Sequence, residues 1–178
     1  MCDDGIGARV ARILWSLPLP VGVTVTTVQR LRIDLLDELA IADRLIVVDA
    51  LSAGEEPGTC TVADVTEIPA AIASSECVHN TSVCHIIEVA RHILCDGDTY
   101  RVAIAGIEGK QHLAYGAEFS DEVVAAFPRL VDLLLLTVGA RVETRAMVKE
   151  ACQRFSDSDS DIPETWYASE ASAGLTGL

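Results

Sequence analysis

Two short runs decide what this chain can fold into: Arg44-Leu45-Ile46-Val47-Val48-Asp49-Ala50 and, much later, Tyr100 to Ile107, which reads YRVAIAGI. Both are nearly continuous in β-branched and small apolar side chains instead of alternating apolar with polar. A strand of that composition must be buried on both faces. Such strands sit in parallel sheets, whose crossover connections are helices, and the rest of the chain supplies them. Ala8 to Trp15 places apolar residues at helical spacing and stops at Pro18 and Pro20. Ile33 to Ala42 does the same with Asp34, Asp37 and Glu38 on the solvent side, and Ser82 to Leu94 is a further helix. Ser120 caps another from Asp121 to about Thr137, with Phe127-Pro128 a candidate bend. Gly22 to Val28, rich in Val and Thr, predicts a strand, and Thr59 to Val65, beyond a loop at Gly54 to Gly58, a weaker strand of edge type. The expected fold is α/β, an open, twisted, mostly parallel sheet with helices on both faces.

A chain of 178 residues is one domain of this kind with room for a tail. From about residue 140 the character changes, and FSDSDSDIPETWYASEASAGLTGL at the end is Ser, Asp and Ala without apolar period. The organisation expected is a domain over 1–154 and a disordered acidic, Ser-rich tail over 155–178, with no internal repeat. No apolar run approaches the ~18 residues that span a bilayer. The first residues carry acid and glycine where a secretory signal carries a basic stretch and then an apolar one, so a soluble cytoplasmic protein, monomeric, is expected. A net charge of −14 repels phosphate backbones and anionic lipid, which excludes nucleic-acid and membrane partners and leaves open a protein with a basic surface. The six cysteines are irregularly spaced with no Cys-x-x-Cys, which points to reduced thiols rather than zinc ligands or a disulfide framework.

Open parallel sheets place their sites beyond the carboxyl ends of the strands. Asp49 closes the first apolar run, and the chain opens on Asp3-Asp4-Gly5-Ile6-Gly7, where glycines let the backbone turn tightly into the first helix. From residue types alone the acidic pair is either a helix cap or part of a site, and Asp49 either caps a neighbouring loop or lines the same site. Of four histidines, His79 precedes a helix in a polar loop, His85 and His92 lie inside that helix, and His112 follows the last strand. Cys77 and Cys84 flank His79 and read best as small buried hydrophobes. A doubly wound domain ordinarily opens with its central strand. This chain opens at the loop that should follow it, so the first central strand is expected to be missing.

Taken together, Asp3-Asp4-Gly5-Ile6-Gly7, Ala42 to Ala50, Pro57-Gly58-Thr59, Val78-His79-Asn80, Ala105-Gly106-Ile107-Glu108 and Phe119 to Val123 resemble the nickel-dependent hydrogenase maturation endopeptidases, in the same order over roughly residues 3–137. The resemblance implies an aspartic-type endopeptidase that removes a C-terminal extension from a nickel-iron hydrogenase large-subunit precursor after nickel insertion. It also implies Asp4, Asp49 and His79 as ligands to nickel carried by that precursor, with Asp4 and Asp49 as the catalytic carboxylates. Two carboxylates and an imidazole suit a borderline divalent ion and leave positions open for substrate. Asp3 is then a supporting or capping acid, and Gly106-Ile107-Glu108 a turn leaving the last strand with Glu108 on the rim.

The chain departs from the family pattern in lacking the first strand and its Gly-Asn, in Cys2 where glycine is common, and in the acid and double glycine absent around Thr26 to Leu31. The Gln-x-Leu found there looks at home in a branch serving bidirectional hydrogenases, which places substrate choice in that stretch. A phosphoacceptor receiver domain is the alternative, with Asp3, Asp4 and Asp49 on magnesium and Lys110 on phosphate. It gives His79 and the Gly-Ile-Glu stretch no task, and Lys110 is not followed by the proline usual there. An inactive nickel-sensing relative of the protease is a third reading.

Overall fold

The computed structural model describes residues 5–27, 42–64, 101–109 and 119–156. Helix α1 (Ile6–Trp15) is followed by strands β1 (Arg44–Leu51), β2 (Cys60–Asp64) and β3 (Arg101–Glu108), then by helices α2 (Asp121–Thr137), α3 (Val142–Ala146) and α4 (Val148–Ser156). The three strands form one open sheet in the order β1-β3-β2. β1 and β3 are parallel over eight pairs, from Arg44 opposite Arg101 to Leu51 opposite Glu108. β2 runs antiparallel to β3, Cys60 opposite Ile107. Its direction follows from its connection. The few residues between β1 and β2 are too short for the crossover that a parallel return requires.

Side-chain alternation divides the sheet cleanly. Ile46, Val48 and Ala50 of β1, Ala105 and Ile107 of β3, and Cys60 and Val62 of β2 pack into one core with α1, α2 and α4. Val102, Ile104 and Leu51 point to the other face and are buried too, so β3 is enclosed on both sides, as its unbroken apolar run requires. β1, by contrast, is half-buried along most of its length. The helices expected over Ile33 to Ala42 and Ser82 to Leu94 lie outside the described residues, Ala42 excepted.

α1 buries Ile6, Val10, Ile13 and Leu14, a helical stripe beginning two residues earlier than the sequence suggested. It ends where Ser16 Oγ donates to the Ile13 carbonyl, ahead of Pro18 and Pro20. Of the strand expected over Gly22 to Val28, the described part does not form: residues 22–27 are irregular, Gly22 turns with φ +87°, and the Val25 carbonyl accepts from the Trp15 indole at 3.0 Å. Val and Thr favour a strand only where a neighbour offers a ladder, and among the described residues none does. α2 starts at Ser120, whose Oγ accepts from Val123 N–H at 3.4 Å, with Asp121 and Glu122 in its positive first turn. It runs through Pro128 as one helix.

From about residue 140 the sequence changes character and no element is expected, yet α3 and α4 form there, and α4 carries Phe155 and Ser156 past the boundary expected at 154. Val148, Ala151, Cys152 and Phe155 give α4 a short apolar stripe against the core. Arg9, 6% exposed, ties α4 to α1 by donating to the Phe155 carbonyl at 2.8 Å, a cation on the negative end of a helix. Its guanidinium also lies 5.0 Å from the centroids of both Phe119 and Phe127. Cys60 and Cys152 are free thiols.

Arg145 joins α3 to α2 through a two-pronged pair with Asp132, both N–O distances 2.7 Å. Hydrogen bonding from Arg145 holds the Asp132 carboxyl below its ordinary value. A depressed carboxyl stabilises the fold above its unfolded pKa, near 3.9, and that contribution fades as pH falls through the folded value. The pair is partly exposed, so Asp132→Asn is expected to cost at most about 1 kcal/mol at pH 7. Urea midpoints at pH 7 and pH 2.5 check the sign: the gap between variant and wild type should close at the lower pH.

Candidate active site at the carboxyl edge of the sheet

Five segments converge where β1 and β3 end. β1 brings Asp49, half-buried two residues before the strand stops, on the face opposite α1. Its Oδ1 accepts the N–H of Ala50 at 2.8 Å, which fixes the carboxylate against its own backbone. The first turn of α1 lies beside the same strand: a Cβ on Gly7 would stand 2.6 Å from the Val48 carbonyl oxygen. Gly7 is thus inside the helix, and its missing side chain serves close approach of helix to strand instead of the tight turn expected. Gly5, the N-cap of α1, makes no side-chain cap, and the Phe119 ring closes over it, 3.1 Å from where a Cβ would be.

β3 ends on the same edge. Gly106 faces Asp49 across the parallel pair, and a Cβ there would overlap the Asp49 carbonyl oxygen and come 2.7 Å from Leu51 Cγ. Gly106, Ile107 and Glu108 belong to the strand and not to a turn, and Glu108, 2% exposed, is no rim residue. Its Oε2 accepts the N–H of Ala53 at 2.9 Å and its Oε1 that of Gly54 at 3.0 Å. The Glu108 N–H donates to the Thr59 carbonyl at 2.8 Å, and its carbonyl accepts from Gly58 at 2.9 Å. The loop between β1 and β2 is thereby fastened at both ends to one residue. Gly58, with φ +86°, brings it against α2, a Cβ there falling 2.8 Å from the Glu122 carbonyl oxygen.

Of the expected site residues, Asp49 stands where the sequence put it, at the carboxyl edge. Asp3, Asp4 and His79 lie outside the described residues, as do His85, His92, His112, Lys110 and the thiols of Cys2, Cys77, Cys84 and Cys95. Among the described residues no three His, Cys, Asp or Glu are grouped so as to hold a metal ion. Neither described thiol suits a nucleophile. Burial pushes Cys60 up despite Arg129 nearby, and Cys152 up to about 11 despite Arg9. The burial of Glu108 and the contacts of Gly7 and Gly58 cannot be read from sequence, since their partners lie far away along the chain.

The family model for hydrogenase maturation proteases, HycI, matches residues 27–137. Among solved structures, the fold is similar to the hydrogenase maturating endopeptidase HybD from Escherichia coli, with TM-score 0.66 at 21% identity, over 78% of this chain and 85% of that one. The [NiFe] hydrogenase maturation protease HycI from Thermococcus kodakarensis matches with TM-score 0.59 at 18% identity, over 77% and 84%. A hydrogenase 2 maturation peptidase from a Thaumarchaeota archaeon matches with TM-score 0.52 at 25% identity, over 79% and 92%. No match is found among curated protein sequences. Nothing in these matches supports a receiver domain. None of the described helices is long and apolar enough to cross a membrane.

Proposed function

The chain belongs to the hydrogenase maturation protease family, whose model spans more than half of it, and from that premise we propose that it cleaves a C-terminal extension from a nickel-iron hydrogenase large-subunit precursor once nickel has been inserted. The observation that carries this reading is Asp49, held at the carboxyl edge of a parallel strand beside the start of the helix that Asp4 precedes. Asp4, Asp49 and His79 recognise nickel in the precursor, so occupancy by the metal licenses cleavage. Nickel is substrate cargo in this scheme.

Three protein ligands leave coordination positions for the precursor's own groups. An ion so held can polarise the scissile carbonyl, and Asp4 or Asp49 accepts the proton of the attacking water. The water oxygen joins the carbonyl carbon, the C–N bond breaks, and the proton passes to the departing amine. The enzyme works in the cytoplasm as a monomer, on a protein substrate and without nucleic acid or membrane.

The test is processing of the same precursor with and without nickel, followed by mass spectrometry. Cleavage is expected only of the loaded form, and Asp4→Asn and His79→Ala should prevent it, with Asp3→Asn milder and His85→Ala and His92→Ala near silent. Equal cleavage of nickel-free precursor would remove the metal from the recognition step. An essential His85 or His92 beside a dispensable His79 would move the third ligand.

A further inference from the structure

We infer that Glu108 is a positioning residue for substrate binding: its buried carboxylate fixes the loop 52–59 that leaves the Asp49 strand, and the precursor's C-terminal segment lies against that loop at the strand edge. The inference rests on the proposed function above. By strand alternation Glu108 faces the same side of the sheet as Asp49, whose partner Gly106 stands two residues before it. A buried carboxylate is costly unless its oxygens are bonded, and here each takes a backbone N–H, from Ala53 and Gly54. With both oxygens so engaged Glu108 is not placed as a ligand or base; it acts through the loop.

Elsewhere the strand end closes with apolar side chains, Leu51 and Ile107, so filling space does not call for a carboxylate. What it adds is order in a segment with no ladder of its own. Ala53 and Gly54 are held by the side chain, Gly58 and Thr59 by the backbone of the same residue, and Gly109 N–H closes the other flank on the Leu51 carbonyl at 3.0 Å. Between these fixed points Ser52 and Gly54 to Glu56 remain exposed at the edge where Asp49 lies. A peptide laid across that edge meets a prearranged backbone instead of one it must order on binding.

Two variants separate positioning from mere support. Glu108→Gln keeps shape and one acceptor but turns an amide NH₂ toward a backbone N–H; Glu108→Leu keeps the buried volume and removes both acceptors. With a nickel-loaded large-subunit precursor from the same organism as probe, Glu108→Gln is expected to raise KM roughly tenfold, the loss of about one charge-assisted hydrogen bond, and Glu108→Leu more, with kcat within about threefold of wild type. Hydrogen exchange at Ala53 and Gly54 should quicken in both while the amides of Val102 to Ala105 stay protected. If the Leu variant does not fold, the Gln variant decides. Freed Ala53 and Gly54 amides with an unchanged KM overturn the inference, as does a loss confined to kcat. Asp49→Asn, run alongside, distinguishes the two failures: inactive Asp49→Asn beside normal Glu108 variants overturns this inference alone, whereas normal processing by Asp49→Asn overturns the site itself and the inference with it.

Discussion

Asp49→Asn is expected to lower kcat/KM for the loaded precursor by ~10²–10⁴-fold, the range for removing a positioned proton acceptor, and to leave the urea midpoint where it was. The two halves of that expectation come from different parts of the local structure. Asn keeps an oxygen where Asp49 Oδ1 accepts the Ala50 N–H, so that backbone contact survives. Asp49 is also only half-buried, with no packed apolar volume to lose. What Asn removes is the charge, and with it most of the affinity for a divalent ion and the ability to take a proton. Asp49→Ala is the coarser variant, because it also strips the Ala50 N–H of its acceptor at about 0.5–1.5 kcal/mol. Processing followed by mass spectrometry and unfolding followed by fluorescence from the two tryptophans check both halves. A normal rate would dismiss Asp49 from the site; a low rate with an equally lowered midpoint would make it a structural acid.

The parts of this fold that could be read from sequence are those whose causes are local. β1 and β3 announce themselves because every residue from Leu45 to Val48 and from Val102 to Ala105 is apolar, and burial on both faces is what such runs demand. α1 and α2 follow from stripe and punctuation, Ser120 most plainly. The misreadings share one physical cause, dependence on a distant partner. Gly22 to Thr27 has strand composition and, among the described residues, no ladder to join. α4 has only a narrow stripe, Val148, Ala151 and Phe155, set against a Ser- and Asp-rich continuation, and it is fixed by Arg9, far away along the chain. A carboxylate ending an apolar run reads as a rim residue, and only the Ala53 and Gly54 amides make its burial tolerable. At the site, the edge was legible from the parallel-sheet rule and Asp49 falls on it, while Asp4 and His79 belong to segments outside the described residues.

Gly106→Val pits those local and distant causes against each other. By composition the change should help, since valine favours strands and glycine weakens them by about 0.5–1 kcal/mol. In the sheet it cannot be accommodated, because the new Cβ overlaps the Asp49 carbonyl oxygen and meets Leu51 Cγ at 2.7 Å. Among the described strands β3 is central, and it is buried from Val102 to Glu108, so Gly106 has no open side toward which to relax. We expect a loss of about 3 kcal/mol or more, roughly 6–12 °C in Tm for a domain of this size, at or above the upper end for overpacking. Since the first overlap is with backbone, trimming Leu51 should give little relief: Leu51→Ala combined with Gly106→Ala should recover less than half of what Gly106→Ala loses, after allowing for the cavity Leu51→Ala creates alone. Full recovery in that double mutant would mean that glycine is required by the leucine side chain and not by the approach of β1. The same clash displaces Asp49, so Gly106→Ala should lose processing at temperatures where it is still folded, and a folded Gly106→Ala with normal kcat/KM would show that the site tolerates movement of the strand that carries its acid.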